Sequence, residues 1–174
     1  MDKKRNLYLI GYMGTGKTAV ATELSALLLR PVLEMDALLA ARAGKSIPAI
    51  FAEDGEARFR AAETALLKEI ATGSFPPAIV SCGGGVPLSS GNRELLKSSG
   101  SVILLEASPA TLWQRLQGDT SRPLLQDKNS EQDLAAMLAV RMPFYQAAAH
   151  LRIPTDGLTP REVAERIRAE LETQ

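Results

Sequence analysis

Cysteine and histidine are each represented once in 174 residues. Cys82 therefore has no partner for an internal disulfide, and neither it nor His150 has the companions that a metal cluster or a thiol nucleophile requires. An excess of either charge is also lacking, with Lys plus Arg and Asp plus Glu at 20 each. No global field then favours nucleic acid or an anionic membrane surface, so any bound anion must be held locally. The first apolar run, Leu7–Ile10, has four residues, too short for an export signal or a membrane span. The expectation is a cytoplasmic, monomeric protein that binds no nucleic acid and no membrane. Hydrophobic residues make up 45% of the chain and charged residues 23%, which excludes the composition of a disordered chain. The length suits one domain over 1–174.

The order of apolar patterns indicates the architecture. Leu7–Ile10 is a short run stopped by Gly11, as a strand buried on both faces would be. From Lys17 to Leu29 the apolar positions Val20, Leu24, Leu27 and Leu28 follow a helical period. Pro31-Val32-Leu33 leads into a helix that reaches Gly44, and Ser46 caps a short helix ending near Gly55. Glu56–Thr72 reads as the longest helical stretch. Ala78-Ile79-Val80 and Val102–Leu105 are further strands, Ser108-Pro109 opens another helix, and His150–Ile153 is a weaker fifth strand. Thr159 caps a closing helix with Val163, Ile167 and Leu171 at intervals of four. This alternation predicts an α/β fold, a three-layer α/β/α sandwich around a five-stranded parallel sheet. The polar segment 118–130 has no period and reads as a mobile lid.

Gly11-Tyr12-Met13-Gly14-Thr15-Gly16-Lys17-Thr18 fits GxxxxGK[ST] and lies between a strand and a helix, where the chemistry requires it. Glycines let successive backbone N–H groups face one anion, and the helix N-terminus adds partial positive charge. Gly14, Thr15, Gly16, Lys17, Thr18 and Ala19 are the expected nucleotide contacts, with Lys17 on the β and γ phosphates of ATP and the Thr18 hydroxyl on Mg²⁺. The loop does not say where the phosphoryl group goes.

Blocks beyond the loop bear on that question. They are Glu34-Met35-Asp36, Phe59-Arg60-Ala61-Ala62-Glu63, Gly83-Gly84-Gly85, Arg122-Pro123-Leu124-Leu125 and Arg141-Met142-Pro143-Phe144-Tyr145. In this order and spacing the chain resembles the shikimate kinase family, P-loop enzymes that phosphorylate the 3-hydroxyl of shikimate in aromatic amino-acid synthesis. The resemblance implies the nucleoside-monophosphate-kinase-like version of the fold, with acceptor-binding helices at about 37–72. It implies that Asp36 orients or deprotonates the acceptor hydroxyl. Arg60 and Arg141 would grip the acceptor carboxylate, Gly83, Gly84 and Gly85 would bind the acceptor through exposed backbone with Gly84 in contact, and Ser81 would lie near the metal. By the same resemblance Arg122 would be the lid arginine that completes catalysis with Lys17 and Asp36, and Arg115 would stack on adenine. Glu34 stands where the family usually has aspartate and would hold Mg²⁺ through water.

From the residues alone, several of these admit a second reading. Asp36 can cap the helix that follows it, the arginines can be surface residues, and Phe51 and Phe59 can line a pocket or fill the core. Glu34 and Asp36, two apart, are expected on one face of a strand, and Glu63 can hold Arg60 from three residues away. Two other functions fit the phosphate loop: a kinase of another small hydroxy acid such as gluconate, and a weakly catalytic nucleotide-binding regulatory module.

Overall fold

The computed structural model describes residues 5–117 and 130–173. In chain order the elements are β1 (Asn6–Ile10), α1 (Lys17–Leu28), β2 (Val32–Glu34), α2 (Met35–Ala43), α3 (Ile47–Asp54) and α4 (Glu56–Ala71). There follow β3 (Ile79–Ser81), a 3₁₀ turn (Val86–Leu88), α5 (Ser90–Ser99), β4 (Gly100–Glu106) and α6 (Pro109–Leu116). The chain closes with α7 (Glu131–Ala148), β5 (Leu151–Pro154) and α8 (Pro160–Thr173). The five strands form one sheet in the order β2-β3-β1-β4-β5, and every neighbouring pair is parallel.

The period of two along the strands divides the core into two layers. Tyr8, Ile10, Val80, Val102 and Leu104 point to the side covered by α2–α7. Leu7, Leu9, Ile79, Ile103 and Leu105 point to the side covered by α1 and α8. Each buried Leu or Ile contributes about 1.5–3 kcal/mol of transfer free energy. Strands β1, β2 and β3 end together: Leu9 is level with Ser81, and Ser81 with Glu34. Open parallel sheets bind ligands along this carboxyl edge.

Local chemistry sets the helix ends. Ser46, Ser108 and Ser130 each accept a hydrogen bond from the backbone N–H three residues on. Thr159 and Glu162 form a reciprocal capping box that opens α8. Leu29, just past α1, sits in the left-handed region at φ 53° and is 91% exposed.

Three readings from sequence need correction. The longest helix is α7 at 18 residues, against 16 for α4. Pro143 lies inside α7, and because proline ordinarily ends a helix, its length is not legible in the sequence. The segment between Gly85 and Gly100, left without an element above, carries the 3₁₀ turn and α5. Strand β2 ends at Glu34, so Asp36 belongs to α2, and period-two alternation cannot put the two carboxylates on one face. The lid, apart from Ser130, lies outside the described residues, as does Arg122.

Candidate active site

A cleft of about 980 Å³ runs along the carboxyl edge of the sheet. At one end the phosphate loop turns through glycines at φ 145° (Gly11), 81° (Gly14) and 90° (Gly16), angles that strain any residue with a Cβ. At Gly11 space is limiting too, since a Cβ there would come within 2.5 Å of the Leu105 carbonyl oxygen. Lys17 Nζ folds across the loop and donates to the carbonyls of Gly11 and Tyr12 at 2.9 and 3.0 Å. The loop's own backbone thus orients the ammonium group before any phosphate arrives. Gly14, Gly16, Lys17, Thr18 and Ala19 line the cleft, and Thr15 is buried with its hydroxyl donated to Tyr12 O at 2.8 Å.

Beside the loop a second recess of about 250 Å³ is bounded by Gly14, Gly16, Arg115, Thr155, Leu158 and neighbouring residues. The Arg115 guanidinium donates to Gly14 O, to the Thr155 hydroxyl and to the Thr155 carbonyl at 2.9–3.2 Å. Its plane is fixed at the edge of the loop, as a group that stacks on a flat base requires. Thr155 was not legible from sequence, because Pro154 and Gly157 leave the local backbone path open. Next to it, Asp156 accepts from the Ser108 N–H and hydroxyl, and the bonds from Thr111 and Ser108 hold its pKa below the usual value.

At the other end, side chains from four separate segments converge. Asp36 lies in the first turn of α2, where Glu34 occupies the N-cap position without a side-chain cap bond. Asp36 is therefore not the cap, and it faces the cleft together with Glu34 because the chain bends from β2 directly into α2. Glu34 Oε2 is buried and has no hydrogen-bond partner. Among the described residues no group of three or more His, Cys, Asp or Glu side chains is placed to hold a metal ion. Thr18 and the unsatisfied oxygen of Glu34 line the same cleft and suit a hard cation whose other ligands are waters and phosphates.

Arg60 on α4 donates to Glu63 Oε2 at 2.6 Å and to Glu56 Oε1 at 3.1 Å, and its guanidinium lies 5.3 Å from the Phe59 ring centroid. Phe51 and Phe59 meet at 4.6 Å, and both serve as cleft wall and core. Glu63 is only 1% exposed, and its Oε1 lacks a partner. Burial pushes its pKa up, Arg60 opposes that push, and Asp36 adds to it. Arg141, half-buried on α7, lies over the Tyr12 ring at 5.6 Å.

Gly83, Gly84 and Gly85 all line the cleft, and two of them also face protein side chains. A Cβ on Gly83 would overlap Glu63 Oε1 and stand 3.1 Å from Asp36 Oδ1. One on Gly85 would overlap the Arg60 guanidinium. These two glycines make room for protein side chains, and Gly84 between them is the half-exposed one. Ser81 and Cys82 line the cleft floor, where burial pushes the Cys82 thiol pKa up and leaves it unreactive. His150 accepts from Val102 N–H through Nδ1 at 3.0 Å, a structural role. Trp113 and Met137 pack against the core.

A strand–loop–helix phosphate cradle joined to a pocket with two arginines and a convergent carboxylate defines an ATP-dependent kinase of the P-loop class, acting on a small hydroxylated acceptor. Comparison with known proteins agrees: the family model for shikimate kinase matches residues 13–172. A shikimate kinase of Symbiobacterium thermophilum is 40% identical over 169 residues, 96% of each chain. One of Salinibacter ruber is 44% identical over 153 residues, 83% of this chain and 74% of that one. The structure of shikimate kinase from Acinetobacter baumannii in complex with shikimate is 38% identical, with a TM-score of 0.91 over 97% of this chain and 93% of that chain. The chain belongs to the shikimate kinase family.

Proposed function

We propose that this chain transfers the γ-phosphoryl group of MgATP to the 3-hydroxyl of shikimate, giving shikimate 3-phosphate and ADP, within a single domain. The observation that carries the reading is the Asp36, Glu63, Arg60 and Arg141 constellation opening onto the phosphate loop in one cleft. An anionic ring bearing hydroxyls matches two guanidinium groups, two aromatic walls and one carboxylate.

The phosphate loop and Lys17 hold the triphosphate, and Arg115 holds the base. Thr18 directly and Glu34 through water would hold Mg²⁺, which would supply positive charge to the phosphates. Arg60 and Arg141 take the acceptor carboxylate, and the Gly83–Gly85 turn presents backbone to the ring. Asp36 orients the hydroxyl and accepts its proton as the oxygen–phosphorus bond forms and the bond to ADP breaks. Little covalent chemistry is asked of the protein; positioning and charge neutralisation account for the rate. Arg122, outside the described residues, matches the lid arginine that adds positive charge to the transferring phosphoryl. The chain acts as a cytoplasmic monomer in aromatic amino-acid synthesis.

The test is ADP release by purified protein with MgATP in the presence of shikimate, gluconate or quinate. Release that requires shikimate is expected, and Arg60→Ala should raise the shikimate KM while leaving the ATP KM in place. Equal turnover of gluconate would assign another acceptor, and ATP binding without turnover of any acceptor would leave only the nucleotide site.

A further inference from the structure

Two tyrosines that meet Arg141 have no part in the chemistry above. Tyr145 lies one helical turn beyond Arg141 on α7, is 0% exposed, and donates its hydroxyl to the Gly84 carbonyl at 2.7 Å. Burial pushes the pKa of this phenol up to about 12, against the opposing charge of Arg141. The phenol is thus neutral near pH 7, with its one proton committed to the Gly84 carbonyl. Tyr12, inside the phosphate loop, offers its ring to Arg141 from the other side, and its own hydroxyl is anchored on Met137 Sδ at 2.8 Å.

We infer that Tyr145 and Tyr12 are positioning residues for the acceptor: the Tyr145 hydroxyl fixes the Gly84 turn, while the Tyr12 ring supports the Arg141 guanidinium. An arginine side chain carries about 2 kcal/mol of rotamer entropy, and holding it in place beforehand removes that cost from acceptor binding. The turn that the Tyr145 hydroxyl fixes abuts the phosphate loop, since a Cβ on Gly84 would stand 3.7 Å from Gly11 O and 3.9 Å from Met13 N. One phenol oxygen therefore holds the acceptor-side turn beside the donor loop.

This inference rests on the assignment of Arg141 to the acceptor carboxylate, and the experiment separates the two. Tyr145→Phe removes one oxygen and keeps the buried ring. The acceptor KM should rise about three- to tenfold, the size expected for a lost hydrogen bond between neutral groups, with the ATP KM unchanged. Tyr12→Leu, which removes the supporting ring, should move the acceptor KM in the same direction. In an Arg141→Lys background the Tyr12→Leu effect should shrink below about threefold, because the guanidinium that the ring supports is gone. A lowered Tm with wild-type acceptor KM in both tyrosine variants would make the tyrosines structural only and overturn the inference. If Arg141→Ala leaves the acceptor KM unchanged, the underlying assignment fails instead.

Discussion

Replacing Gly85 by alanine should damage the acceptor site through a single methyl group. Gly85 has φ −93° and ψ −13°, a conformation alanine adopts without strain, so the backbone has no reason to move. The added Cβ would fall on the Arg60 guanidinium, overlapping Nη1 and Cζ and lying 2.7 Å from Nη2. Arg60 is long and half-exposed, and it yields by swinging out of the cleft. Two losses follow. The acceptor carboxylate loses a charged, forked partner, worth about 2–5 kcal/mol when a buried charge pair is broken, or about 30-fold to a few thousand-fold in kcat/KM. Glu63 loses its 2.6 Å ion pair while remaining 1% exposed, and takes up a proton to avoid an uncompensated buried charge. Steady-state kinetics in both substrates decide the matter. The acceptor KM should rise steeply, the ATP KM should stay within about twofold because no phosphate-loop atom is touched, and Tm should fall modestly. Wild-type acceptor kinetics in Gly85→Ala would refute the claim that this glycine exists to admit Arg60.

Three further outcomes are expected. Burial raises the folded-state pKa of Glu63 above the ordinary 4.5, with Arg60 pulling it down and Asp36 pushing it up. The folded state therefore binds that proton more tightly than the unfolded state, and its contribution to stability, complete below pH 4.5, is lost as pH rises through the raised value. Thermal melts at a series of pH values should show Glu63→Gln flattening this decline while its acceptor KM rises, because the amide is a poorer partner for Arg60; equal slopes in both proteins would refute it. Glu34→Gln should weaken MgADP binding several-fold relative to metal-free ADP in calorimetric titrations, given the unsatisfied buried Oε2, and equal losses for both would remove Glu34 from the metal site. Leu29→Gly should raise stability by about 1 kcal/mol, or about 2–4 °C in Tm, by relieving the φ 53° backbone at a side chain 91% exposed; an unchanged or lowered Tm would contradict it.

The sequence by itself determined most of what depends on near neighbours, with α5 the exception. Eight consecutive residues, Gly11–Thr18, specify the phosphate cradle, because its glycine torsions and its helix start are local properties. The strand-and-helix alternation was likewise legible, since periods of two and 3.6 report which faces are buried. Resemblance then singled out Asp36, Arg60, Gly84 and Arg141 by number without saying how they meet. Tertiary structure alone decided the strand order β2-β3-β1-β4-β5, the turn from β2 into α2 that brings Glu34 and Asp36 into one cleft, and the extent of α7 through Pro143. It alone showed that Gly83 and Gly85 are vacancies for Glu63 and Arg60, and that the Tyr145 hydroxyl reaches Gly84, 61 residues away along the chain. Close packing is the physical reason: whether an atom is missing so that another can occupy its place depends on residues far apart in sequence, and no local pattern records that distance.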